Sequence, residues 1–225
     1  MKYSFLIVIL LFSACSQPAA SPEVKLAGSL RGVMHQGQLG AMIKIDSLLE
    51  PGVYALGALD SLAGEILILD GDLLVSTVLA ESVQTGPVVN AHAALLVYVQ
   101  VGNWQEFELS TKNWQETVLE YARAQELEQP FPFLLKGAFP RLDYHVINYD
   151  TQRGDLSNHK SGAFNSQLDQ TPVIILGFYS QSHQGLFTHH DVFTHMHVRN
   201  ADGTAMGHVD YLESGNGSFT LLLPK

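Results

Sequence analysis

The segment "THMHVRNADGTAMGHVDYL", Thr194 to Leu212, constrains the fold of this chain more than any other. In a β-strand, residues two apart point to the same face, so His195 and His197 project together. "NADG" supplies a turn, and Asp202-Gly203 is a favoured two-residue type I′ pair. With those two at the tip, Ala201 opposes Thr204, Arg199 opposes Met206 and His197 opposes His208. Directly opposed residues hold their Cβ atoms about 4.5–5.5 Å apart. Three imidazoles thereby share one face within reach of a single ion. The same register sets Asp210 opposite His195, where its carboxylate would fix the tautomer of that ring.

Three neutral imidazoles with open positions beside them form the pattern of a catalytic zinc site. Iron, manganese and copper accept the same donors, so ligand type alone does not choose among them. A His-x-His pair arises easily by chance in a chain with ten histidines. The third histidine, in register across a strong turn, is what carries the metal reading. His189 and His190 could compete as ligands, but their segment has no fixed register. His35, His92, His159 and His183 read as surface or core residues.

The chain has 225 residues, of which 46% are hydrophobic, enough for a core in one or two domains. Its formal charge is −10, and no stretch is rich in Lys or Arg. Such a surface repels phosphate backbones, which argues against a nucleic-acid partner. An anionic substrate must then be recognised locally, by a metal or a placed cation.

The N-terminus, "MKYSFLIVILLFSACS", reads as a targeting segment. Lys2 gives the positive start, and Tyr3 to Phe12 form an apolar run short for a bilayer span. Residues 1–14 resemble a bacterial lipoprotein signal, with Cys15 lipidated after cleavage. An ordinary signal peptide or a retained short anchor would share much of the pattern. Residues 15–23 form a polar, Pro-containing tether. The expected location is outside the cytoplasm, with membrane attachment only through Cys15. Cys15 is the sole cysteine, so an intramolecular disulfide and a catalytic thiol are both excluded.

Further along, Leu39 to Leu49 could carry a short helix, ended by Pro51-Gly52. Glu65 to Leu69 and Asp72 to Leu79 read as strands joined at the Asp70-Gly71 turn. Ala93 to Val101 reads as a buried strand. In "STKNWQETVLEYARAQELEQP", Trp114, Val118, Tyr121 and Ala122 share one helical face, with Thr111 or Asn113 as cap. The remaining segments, from "FPFLLKGAF" to "GSFTLLLPK", are strand-like. The expected fold class is α/β in the α+β sense. A mixed α/β N-terminal part over 24–129 precedes a mainly antiparallel, metal-binding part over 130–225.

These residues resemble the α-acetolactate decarboxylase family. "HMHVRNADGTAMGHVDY" is similar to that family's His-x-His, ten-residue gap, Gly-His-Val signature. "TPVIILGFYSQSHQG" resembles the segment that precedes its ligands. "GALDSLAGEILILDG" matches the family's N-terminal pattern without gaps, placing Gly57, Leu62, Gly64, Glu65, Asp70 and Gly71. The likeness spans most of residues 27–225. It implies zinc bound by His195, His197 and His208, two α/β parts, and usually a homodimer. It also implies decarboxylation of 2-acetolactate to acetoin, the metal chelating the substrate's hydroxyl and ketone oxygens. Glu65 would be the acidic residue at the metal's edge.

The chain also departs from the family pattern. The family's arginine position, eight residues after Gly137, holds His145, and the nearest arginine is Arg141. Ala63 stands for the family's aspartate before Gly-Glu, and its C-terminal tail glutamate has no counterpart before Lys225. His145 could donate a proton in the arginine's place, since an imidazole exchanges protons near neutral pH, though it lacks the guanidinium fork. Arg141 could reach into the site instead, since even spacing puts it on the same strand face as His145. These departures leave open a related enzyme for another 2-hydroxy-3-oxo acid, or a non-catalytic metal- or ligand-binding lipoprotein of the same fold.

Overall fold

The computed structural model describes residues 21–225 except 81, 150–155, 157–159, 190 and 191. The signal-peptide reading, Cys15, His159 and His190 therefore lie outside the described residues. Short apolar runs broken by glycine turns give two antiparallel sheets. The first holds β1 (Lys25–Ala27), β2 (Ile43–Lys44), β3 (Val53–Leu59), β4 (Glu65–Leu69), β5 (Asp72–Leu79), β6 (Ser82–Gly86) and β7 (His92–Gln100). Its order is β1-β7-β3-β4-β5-β6, with β2 also pairing to β7.

The second sheet begins with β8 (Trp104–Leu109), β9 (Phe131–Ala138), β10 (Arg141–Val146) and β11 (Phe164–Leu168). It is completed by β12 (Pro172–Tyr179), β13 (Thr194–Asn200), β14 (Met206–Glu213) and β15 (Phe219–Pro224). The strands run in the order β11-β10-β14-β13-β12-β9-β15-β8. The chain passes between sheets at 101–103, upstream of the seam expected at 129. β8 belongs with the second sheet because it pairs with β15 from Phe219↔Leu109 to Pro224↔Trp104.

The alternation of side chains along each strand sets the layers. Tyr54, Leu56, Leu67 and Val97 of the first sheet pack with Leu134, Leu176, Phe178, Met206 and Leu222 of the second in one core. The far face of the second sheet is covered by helix α2 (Trp114–Ala124), through Trp114, Val118 and Ala122. That is the face read from the sequence. Asn113 occupies the cap position without a side-chain cap bond, and Thr111 Oγ1 instead accepts from the Asn113 N–H at 3.1 Å.

The helix expected over Leu39–Leu49 is not formed. That stretch holds β2 and a 3₁₀ turn, Ile45–Leu48, because Ile43 and Lys44 pair with β7. The short N-terminal helix is α1, Leu30–Gln36, earlier in the chain. Ser29 caps it by accepting from the Gly32 N–H at 3.0 Å, and Gly37 ends it at φ +64°. Its first backbone donors reach the Leu186 and Gly185 carbonyls, both at 2.7 Å. α1 is thereby pinned to the loop between β12 and β13.

Candidate metal centre

The hairpin β13–β14 has the register read from the sequence: His197↔His208 and Arg199↔Met206. Its turn differs. The Asn200 N–H donates to the Ala205 carbonyl at 3.0 Å, and only Gly203, at φ +71°, takes a positive φ in this loop. Four residues thus close the loop where a two-residue type I′ turn was expected, and the facing pairs are unchanged. The Asp202 carboxylate accepts from Thr204 N–H at 3.0 Å, and Asn200 Oδ1 from Ala205 N–H at 3.0 Å. These side-chain bonds stand in for the type I′ geometry.

His195, His197 and His208 lie on the inner face of the second sheet, each offering a nitrogen within 4.8 Å of the others'. His195 and His197 are buried. His197 Nδ1 donates to the Ile66 carbonyl at 2.9 Å, which leaves the lone pair on Nε2. His197 Nε2 and His195 Nδ1 are buried with no hydrogen-bond partner. An unsatisfied buried nitrogen is costly, and a shared cation satisfies both. Burial drives His197 down to about 3. Burial, reinforced by neighbouring imidazoles, drives His195 and His208 well below the usual histidine range. All three rings are neutral at physiological pH, so they fit a metal ion without first losing protons.

Glu65 begins β4 and faces this trio across the sandwich. Its Oε2 stands 3.5 Å from His197 Nε2, and its Oε1 accepts from the Ile147 N–H at 3.1 Å. Burial pushes its carboxyl up to about 7, against the opposing pull of His145 and the Ile147 N–H. His145 is also in the site. It is buried, 3.9 Å from Glu65 Oε1 through Nε2, with its ring centroid 4.9 Å from that of His208.

Two expectations are corrected. Asp210 does not serve His195. It is the extra residue of a β-bulge where Tyr144 pairs with Val209 and Asp143 with Tyr211. The bulge aims Asp210 at β10, where Oδ2 accepts from His145 Nδ1 at 2.6 Å. Burial raises the Asp210 carboxyl, but His145 and Lys160 outweigh it and hold the group below its ordinary value. Arg141 is not in the site. It shares a face with His145, but four residues of strand separate them, roughly 13 Å. Its exposed guanidinium is held by Asp143 at 2.7 Å and lies over the Tyr211 ring.

The histidines and Glu65 border a cleft whose apolar wall is Leu30, Val33 and Met34 of α1 with Leu62 and Leu95. His189 also lines it, its ring centroid 6.1 Å from that of His208, but it is not among the three converging ligands. Sequence reasoning missed the α1 wall and Lys160. Ser29 and Gly37 were a legible cap pair, whereas Lys160 carries no periodic signal.

A family model described as alpha-acetolactate decarboxylase matches residues 27–222. The chain belongs to the alpha-acetolactate decarboxylase family. Solved structures agree on the fold at low identity. The alpha-acetolactate decarboxylase from Bacillus subtilis strain 168 shares 10% identity at a TM-score of 0.68, over 90% of this chain and 85% of that one. The acetolactate decarboxylase of Bacillus subtilis subspecies spizizenii shares 11%, at 0.69, over 90% and 86%. A Staphylococcus aureus protein of unknown function, similar to alpha-acetolactate decarboxylase, shares 17%, at 0.67, over 88% and 84%. No curated protein matches. The acetolactate decarboxylase fold thus places the histidine trio on the inner face of the C-terminal sheet.

Proposed function

We propose that this chain is a zinc-dependent decarboxylase that converts 2-acetolactate to acetoin and carbon dioxide. The observation that supports it most is the set of three neutral imidazoles converging within 4.8 Å, opposite a buried carboxyl, in a chain of this family. His195, His197 and His208 would hold the ion. When bound, it supplies Lewis-acid stabilisation for the negative charge that grows as carbon dioxide leaves.

The chain's own residues manage the proton. Breaking the carbon–carboxylate bond leaves an electron pair on the substrate, and one proton must reach that carbon. Burial keeps a proton on Glu65 to about pH 7, and the Ile147 N–H fixes the carboxyl's orientation. Glu65 is the donor in this reading. Asp210 accepts from His145 Nδ1, which turns Nε2 toward Glu65. His145 then relays a proton taken up from solvent to Glu65 after each turnover, a task a guanidinium performs poorly because it stays charged. The apolar α1 wall keeps bulk water from competing for that proton.

The test is acetoin release from 2-acetolactate by the zinc-loaded full chain. Chelation and His197→Ala should each abolish it. A fully zinc-loaded protein that releases no acetoin overturns the reading. The second reading, a related enzyme for another 2-hydroxy-3-oxo acid, is favoured by one observation: His145 occupies the family's arginine position inside the site. Turnover of such an acid in preference to acetolactate would select it.

The leader supports an exported enzyme anchored by lipid on Cys15. Labelled palmitate should enter the wild type and not Cys15→Ala. Label in both would remove the anchor.

A further inference from the structure

Lys160 reaches the site from a turn before β11. Its carbonyl accepts from the Ala163 N–H at 3.0 Å. Gly162 lets this turn sit against β10's end, since a Cβ there would meet the Asn148 carbonyl oxygen at 2.4 Å. The Lys160 ammonium donates to Asp210 Oδ1 at 3.1 Å, the oxygen that His145 does not use. Lys160 borders the cleft together with Glu65, His145 and His208. It also borders a second groove, between β14 and the start of α2. The ammonium therefore stands where cleft meets solvent, its side chain 47% exposed. Among the described residues lining the cleft, it is the one lysine or arginine.

An anion entering this site meets an obstacle. The chain carries a formal charge of −10, and the carboxylate of Asp210 stands beside the cleft. A carboxylate substrate needs a local cation clear of the metal ligands, and Lys160 is the group so placed. We infer that Lys160, held in position by Asp210, is the residue that binds the substrate's carboxylate. The inference rests on the reading of a 2-hydroxy-3-oxo acid substrate.

The contact has a kinetic signature. The ammonium attracts a carboxylate, and that attraction fades as the carboxylate becomes neutral carbon dioxide. The interaction is stronger in the ground state than in the transition state, so its loss raises KM and does not lower kcat. A lysine arm suits this role, because a flexible point charge releases the departing group more readily than a guanidinium fork.

The test compares zinc-loaded wild type, Lys160→Met and Lys160→Arg by calorimetry. The probes are 2,3-dihydroxy-2-methylbutanoate, an unreactive acid of the substrate's shape, and acetoin, which lacks the carboxylate. Lys160→Met should weaken the acid about tenfold, as expected for one partly exposed charge-assisted bond. It should leave acetoin binding unchanged, and Lys160→Arg should restore most of the acid's affinity. Equal losses for both probes, or no loss for the acid, would overturn the assignment. In turnover of 2-acetolactate, Lys160→Met should raise KM about tenfold with kcat within about threefold. A loss carried by kcat would mean that Lys160 acts only through Asp210 and His145, and would also overturn it. If wild type makes no acetoin, the decarboxylase reading falls, while the acid-against-acetoin comparison still decides what Lys160 binds.

Discussion

At the residue scale, Glu65 and the histidine trio are a carboxyl and three bases held neutral by the same burial, and they respond to pH with opposite sign. Each buried imidazole has a folded value below its unfolded one. Its contribution to stability is complete above about 6.5 and is lost as pH falls, toward about 3 for His197. Glu65 has a folded value raised to about 7, so its contribution is complete below about 4.5 and is lost as pH rises through 7. In metal-free protein, Glu65→Gln keeps the acceptor for the Ile147 N–H and removes the titration. Urea unfolding should show no difference from wild type at pH 4 and a variant more stable by about 3 kcal/mol at pH 8. Equal stability at both pH values would mean that Glu65 is solvated. Asp210 acts through His145. Asp210→Ala should lower kcat by about tenfold at unchanged zinc content. Retained kcat would show that His145 needs no orienting partner.

At the element scale, the hairpin that presents the ligands depends on Gly207. A Cβ there would meet the His145 carbonyl oxygen at 2.4 Å and the Tyr144 ring at 2.7 Å, so only glycine lets β14 lie this close to β10. Gly207→Ala should cost roughly 1–3 kcal/mol in urea unfolding and weaken zinc binding together with it. Unchanged stability would contradict the close approach. The ligand register was legible in the sequence, because side-chain alternation and facing pairs follow from spacing alone. The turn type was not, because Asn200 and Asp202 bonded the loop backbone in a way that the Asp202-Gly203 pair did not advertise. The place of Asp210 was hidden for a related reason. A single extra residue at the bulge redirected it from β13 to β10, and bulges leave no periodic trace. The pairing of Ile43 and Lys44 with β7 is a long-range event that overrode a local helical pattern.

At the scale of the whole molecule, the site is built by two sheets that share one core. Glu65 comes from the first sheet, and His145 with the three ligands from the second. Leu56, Leu67 and Val97 pack directly with Leu176, Phe178 and Leu222 between them. Separating the sheets would expose that shared core, so they should unfold together. Urea unfolding followed by Trp104 and Trp114 fluorescence and by far-ultraviolet circular dichroism should give one coincident transition, raised by zinc. Two resolved transitions would show that the sheets are independent. Most of the β-strands were legible as apolar runs between turns. Their division into sheets was not, since β8 pairs across more than 100 residues of sequence with β15. The most direct measurement is anomalous diffraction at the zinc edge from crystals of the full chain. One peak per chain, about 2.0–2.1 Å from a nitrogen of each of His195, His197 and His208, is the predicted result. Density elsewhere, or three rings with no peak among them after zinc loading, would contradict the account.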